Sequence, residues 1–191
     1  MDDLKEKESD CFSIDKEGRS IYLYTKVNPR VTLAITKFIK HTNSLESSLE
    51  KKPITIYINS NGGDANGLFG LIQTILSSNI PIYTCCMGTA ASAAFVIFLS
   101  GKKRMMVTGS RLMWHTVKTT ATNPDMQSLR NHLLRTECTQ DLFDKFIASR
   151  SSFKLEQLYD LREKSGVDSE IWLTTTDALN LNCVDEILSI F

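Results

Sequence analysis

The chain has 191 residues, with 22 Lys and Arg balanced by 22 Asp and Glu. That length fits one domain with a substantial core, and the zero net charge gives no basic stripe for nucleic acid or a membrane surface. No run is apolar enough to span a bilayer, and the charged residues 1–10 lack the apolar region of a signal peptide.

Residues 1–18 read as a flexible arm. Residues 20–26 (SIYLYTK) alternate and carry β-formers, predicting a strand. Leu33, Ile35, Phe38 and Ile39 place a helix over 31–41, followed by a polar connection over 43–52. A β-rich run at 53–59 ends in the turn Ser60-Asn61-Gly62-Gly63-Asp64. Helical spacing resumes over 68–76, and 80–87 is a further strand. Gly88-Thr89-Ala90-Ala91-Ser92-Ala93-Ala94 then marks a turn opening an apolar helix. Short strands are expected at 104–108 and 111–115 around Thr108-Gly109-Ser110. This strand–helix alternation predicts parallel strands with crossover helices, whose loops at the strand carboxyl ends favour active residues.

The second half reads differently. Residues 116–123 are Thr-rich and extended, and Pro124 opens a long helix to about Arg150. A short helix at 155–164 follows, then an extended 172–174. A helix at 175–181, capped by Thr174 or Thr175, precedes a closing segment at 184–187. No internal repeat or domain linker interrupts this order. Cys11, Cys85, Cys86, Cys138 and Cys183 form no disulfide framework and no zinc pattern. They read as thiols in a reducing cytoplasm.

Ser92 stands out because its neighbours are nearly bare. Small side chains let a carbonyl approach both the hydroxyl and the adjacent amides, and a serine needs a base and oxyanion donors to react. A serine among alanines is more often a helix packing residue. The motif is also not the G-x-S-x-G elbow. Of the three histidines, His41 lies in a polar stretch and His132 on a surface helix. His115 ends an apolar strand, where a histidine is usually structural, yet imidazole is the commonest base near neutral pH. Gly62-Gly63 serves either as a positive-φ turn or as bare backbone with amides aimed at an oxyanion. Asp168 and Glu170, ahead of Trp172-Leu173, are candidate acids to orient the imidazole, or plain solvated charges.

Together these residues resemble the proteolytic subunit of the Clp protease, the ClpP family, from about Ser20 to Leu188. The segments that carry the resemblance are 56–63 (IYINSNGG), 88–92 (GTAAS), 109–115 (GSRLMWH), Leu155-Glu156-Gln157, and Trp172-Leu173-Thr174 through Cys183-Val184-Asp185. The resemblance implies an α/β fold of the ClpP/crotonase-like kind, a superhelix of repeated β-β-α units with a protruding handle. One peptidase domain would cover 19–191, its handle at about 116–150. The resemblance further implies Ser92 as nucleophile, His115 as base, and the Gly63 and Ala93 amides as oxyanion hole. Glu170 falls where the family has an aspartate, with Asp168 as the alternative acid.

The implied activity is a serine endopeptidase that hydrolyses unfolded proteins through an acyl-enzyme inside a chamber. Heptameric rings would stack as a tetradecamer served by a hexameric AAA+ unfoldase. No metal or other cofactor is expected in this subunit, and no nucleic-acid or membrane partner. Its location would be cytoplasmic, or an organelle stroma or matrix. Departures from the family pattern are Glu170 itself, Asn61 in place of a proline, Thr116-Val117-Lys118-Thr119-Thr120 after the histidine, and the charged arm over 1–18. An inactive structural ring subunit, an ATPase-independent processing protease and a crotonase-like acyl-CoA enzyme are the competing readings.

Overall fold

The computed structural model describes residues 11–45, 51–118, 125–164 and 169–189. Its elements run β1 (Phe12–Asp15), β2 (Ser20–Leu23), α1 (Pro29–Leu45), β3 (Ile54–Ser60), α2 (Leu68–Leu76), β4 (Ile82–Ala91) and α3 (Ala93–Leu99). They continue with β5 (Lys103–Val107), β6 (Arg111–His115), α4 (Met126–Arg150), α5 (Leu155–Arg162), β7 (Glu170–Leu173), α6 (Thr175–Asn180) and β8 (Glu186–Leu188).

The strands alternate as a half-buried sheet requires. Ile54, Ile56 and Ile58 of β3 are fully buried, as are Ile21 and Leu23 of β2, while Tyr22 points out. Tyr22 stacks on Tyr57 across the ladder with ring centroids 5.3 Å apart. In α1 the buried Val31, Ile35, Phe38 and Ile39 make one apolar stripe. The Asn28 side chain caps that helix by accepting from the Val31 amide at 3.0 Å. All seven residues of α3 are buried. A helix apolar on every side has to sit in the core, and this one does.

The sheet runs β1-β2-β3-β4-β5-β8, parallel except for the β1–β2 pair. The strand β4 serves two neighbours on one side. Its first part, Tyr83 to Cys86, pairs with β5. Its end, Thr89 to Ala91, pairs with β6, and β6 continues antiparallel to β7. The β3–β4 register shifts between Ile58 and Ser60, where β4 passes from one neighbour to the other. This mixed α/β arrangement is the one the resemblance implied.

Local boundaries differ from the sequence reading in informative places. Residues 88–91, read as a turn, are the end of β4, because their edges are satisfied by β6 and by Asn59, whose Oδ1 accepts from the Thr89 amide at 3.1 Å. Part of the expected arm is ordered: Phe12–Asp15 pairs with β2, and Phe12 and Ile14 pack on the core. Residues 1–10 lie outside the described residues. The long helix starts at Met126 with Asp125 as its cap, accepting from Ser128 N at 2.8 Å. Thr174 caps α6 in a reciprocal box with Asp177. None of the five cysteines is in a disulfide, and burial pushes the Cys183 thiol up to about 11.

Two arginines knit the carboxyl-terminal half to the sheet. Arg150 donates to Leu99 O at 3.0 Å and Gly101 O at 2.7 Å, neutralising the carbonyl end of α3. Arg104, 6% exposed, donates to Arg150 O at 2.6 Å and Asn182 O at 3.0 Å, at the ends of α4 and α6. Asp185 receives the same guanidinium at 3.0 and 2.6 Å. Partial burial alone would raise the Asp185 pKa. The bonds from Arg104 outweigh it and hold the carboxyl below its ordinary value.

Removing Asp185 strands a buried cation, so Asp185→Ala is expected to cost about 2 kcal/mol in urea unfolding. Because the folded-state pKa is depressed, this contribution is fully present above about pH 4 and drains away as acid protonates Asp185. The stability gap between wild type and Asp185→Ala should therefore close on acidification, which urea titrations at pH 7 and pH 3 would show.

Candidate active site

Ser92 joins the end of β4 to the start of α3 and is held there by its amide, which donates to Met113 O of β6 at 2.8 Å. Its backbone has φ 54° and ψ −122°, the first central conformation of a II′ turn, where glycine is the usual residue. A serine there costs on the order of 1–3 kcal/mol, and such strain clusters at working sites. The turn throws the side chain out of the strand into a cleft of about 1140 Å³. Ser92 itself is half-buried.

The Gly62-Gly63 turn lies against it. A Cβ on Gly62, at φ 87°, would stand 2.5 Å from Ala91 O, 2.8 Å from Ser92 Cβ and 2.9 Å from Ala93 N. Only glycine fits. The following residue, Gly63, makes an isolated parallel bridge with Val27. In that bridge Val27 N donates to Gly62 O and Asp64 N donates to Val27 O, both at 2.9 Å. The Gly63 amide takes no part in that bridge, and Gly63 is a lining residue of the cleft. Ala93 is the first residue of α3, so its amide has no partner within the helix. Gly63 and Ala93 thus line the cleft together with Ser92, and Ala93 stands at the positive end of α3.

His115 ends β6 and lines the same cleft, half-buried. Its ring stacks beside Trp114, with centroids 6.3 Å apart. Nδ1 contacts Thr116 O. No hydrogen bond joins His115 to Ser92, which is ordinary for a site without substrate.

Glu170 opens β7 and is the direct cross-strand partner of His115 in the antiparallel ladder. Residues in that relation share a face of the sheet, with Cβ atoms about 5 Å apart. The carboxylate is engaged elsewhere: Trp172 Nε1 donates to it at 3.0 Å and Lys118 Nζ lies 3.4 Å away. The Trp172 bond, with smaller pulls from Lys118 and His115, holds its pKa below the ordinary glutamate value. Asp168, the alternative acid, lies outside the described residues.

The structure therefore brings Ser92, His115, Gly63 and Ala93 to one cleft, with Glu170 paired to the histidine across the β6–β7 ladder. His41 is an exposed residue of α1. His132, expected on a surface helix, is a half-buried residue of the cleft wall, with Arg135, Thr136 and Thr139 on the same stretch of α4. Lys118, which forms an ion pair with Glu170, was missed by the sequence reading. Its only signal was its place three residues after the histidine. Among the described residues, no group of three His, Cys, Asp or Glu is placed to hold a metal ion.

A family model described as Clp protease matches residues 4–190. The ATP-dependent Clp protease proteolytic subunit 1 of Corynebacterium glutamicum is 27% identical over 183 residues, 95% of this chain and 84% of the relative. The proteolytic subunit of Porphyromonas gingivalis is 29% identical over 189 residues, 97% and 80% of the two chains. The proteolytic subunit 2 of Treponema pallidum is 26% identical over 187 residues, 95% and 87%.

The contact between Gly62 and Ser92 makes a sharp test. Gly62→Ala is expected to displace the Ser92 turn and to slow reaction of Ser92 with a fluorophosphonate by about 100-fold. Stopped-time intact-mass measurements check this, and a rate within threefold of wild type would contradict the packing argument.

Proposed function

The chain belongs to the Clp protease family, and on that premise we propose that it is a serine endopeptidase whose nucleophile is Ser92 and whose base is His115. The observation that carries this reading is the positive-φ turn at Ser92, in a cleft that His115, Gly63 and Ala93 also line. The cleft is larger than most small-ligand pockets and suits an extended polypeptide.

The reaction follows from the placement. Ser92 Oγ attacks the scissile carbonyl while His115 Nε2 takes its proton. The carbonyl electrons move to oxygen, where the Gly63 and Ala93 amides donate to the new oxyanion. Collapse expels the amine, which takes the proton from His115 and leaves Ser92 acylated. A water, deprotonated by His115, then releases the acid. Glu170, opposite the imidazole, stabilises the imidazolium formed in each half-reaction.

Assembly belongs to the same proposal. The relatives are named as subunits of ATP-dependent proteases, so stacked heptameric rings fed by an AAA+ unfoldase are the expected working form. Met126, Leu133, Leu134 and Leu142 of α4 support this, because they are large apolar side chains exposed in the single chain. The bound state of Glu170 favours one alternative. With its carboxylate held by Trp172 and Lys118, the chain on its own would be a ring subunit that reacts only once a partner has rearranged the site.

Treatment with a fluorophosphonate is expected to add one adduct per chain, lost in Ser92→Ala. An unlabelled wild-type assembly would favour the inactive or partner-dependent subunit. Glu170→Gln should slow labelling by about 100-fold, and an unchanged rate would remove Glu170 from the mechanism.

A further inference from the structure

Nδ1 of His115 meets the carbonyl of Thr116, and a carbonyl only accepts. The proton of the neutral ring therefore sits on Nδ1, leaving the Nε2 lone pair free to take a proton from Ser92. What fixes that carbonyl is the other end of the same peptide plane. The peptide unit is rigid, so the Thr116 C=O and the Val117 N–H turn together. Val117 N donates to Gln140 Oε1 at 2.6 Å.

Gln140 is held in turn. Its Nε2 donates to Asp144 Oδ1 at 2.8 Å, one helical turn along α4. Asp144 is fully buried. Its other oxygen receives Arg162 of α5 at 3.0 and 2.7 Å, and Arg162 also reaches Asp141 at 2.6 Å. Burial pushes the Asp144 pKa up, against the pull of Arg162 and Gln140. An ionised carboxylate accepts only, so it dictates which face of the Gln140 amide it sees. The NH2 must turn toward Asp144 and the oxygen toward Val117. If the amide were flipped, two donors would oppose each other at Val117.

We propose that Arg162, Asp144 and Gln140 are positioning residues that act through the Thr116–Val117 peptide to set the tautomer and ring orientation of His115. The inference rests on the reading of His115 as the base. It assigns to a backbone carbonyl the orienting task that Glu170, held by Trp172 and Lys118, does not perform in this structure. Glu170 keeps the electrostatic task.

The test uses the full-length chain with 15N-labelled histidine. Gln140→Met nearly preserves volume and leaves Val117 N only a weak thioether acceptor. Its expected effect is a 10- to 100-fold slower labelling of Ser92, with KM for a peptide within about twofold. The 15N spectrum of the His115 ring should move from one Nδ1–H tautomer to a mixture. Replacing the ion pair by Asp144→Leu with Arg162→Leu keeps a packed interior and should have the same two effects. Ile56→Val, a distant core change, controls for lost stability and should leave both readouts unchanged. Wild-type labelling rates in Gln140→Met, or slow labelling with an unaltered tautomer, would overturn the proposal. If wild-type Ser92 takes up no fluorophosphonate, the peptidase reading fails, while the tautomer comparison still decides the relay.

Discussion

The whole site depends on one bond and one contact: Ser92 N to Met113 O at 2.8 Å, and Gly62 seated where any Cβ would meet Ala91, Ser92 and Ala93. The bond makes the turn the last rung of the β4–β6 pairing. The contact makes the turn the floor for the Gly62-Gly63 loop. A serine in a left-handed conformation persists only when its surroundings over-determine it. Here they do, with a parallel ladder on one side and a fully buried helix on the other. The strain is thus held by the part of the molecule least able to relax.

From that turn the architecture reads outward. The strand β4 leaves β5 for β6 as it approaches Ser92, and this change of neighbour brings the histidine strand alongside the nucleophile. In turn, β6 carries β7, so the residue opposite His115 is settled by an antiparallel register. The two arginines at 104 and 150 complete the frame by closing the carbonyl ends of α3, α4 and α6. These are charge-assisted bonds to groups that otherwise lack partners. They lock the long helix, and hence Gln140, to the sheet that bears Ser92.

Much of this was legible in the chain. Residues 68–76 read as a helix from their spacing, and 111–115 read as a strand, both as found. Ser92, His115 and the double glycine stood out because small or titratable residues interrupted apolar runs. What escaped was set by tertiary partners. Gly88 to Ala91 has turn-like composition but is strand, since β6 and Asn59 satisfy its backbone. Phe12 and Ile14 looked like part of a charged arm until β2 gave them an edge to pair with. Gln140 and Asp144 carried a faint signal, as polar residues on the same face as Phe143 and Ile147. Nothing local revealed that an arginine from the next helix would justify burying them.

The divided allegiance of β4 also bears on how such a chain can change length. Between Cys86, paired with Met106, and Ala91, paired with Met113, every position is counted from both ends. One added or deleted residue there turns each following side chain to the opposite face. It would carry Ser92 away from Gly62 even if every amino acid type were kept. The length of this stretch is therefore fixed independently of which residues fill it.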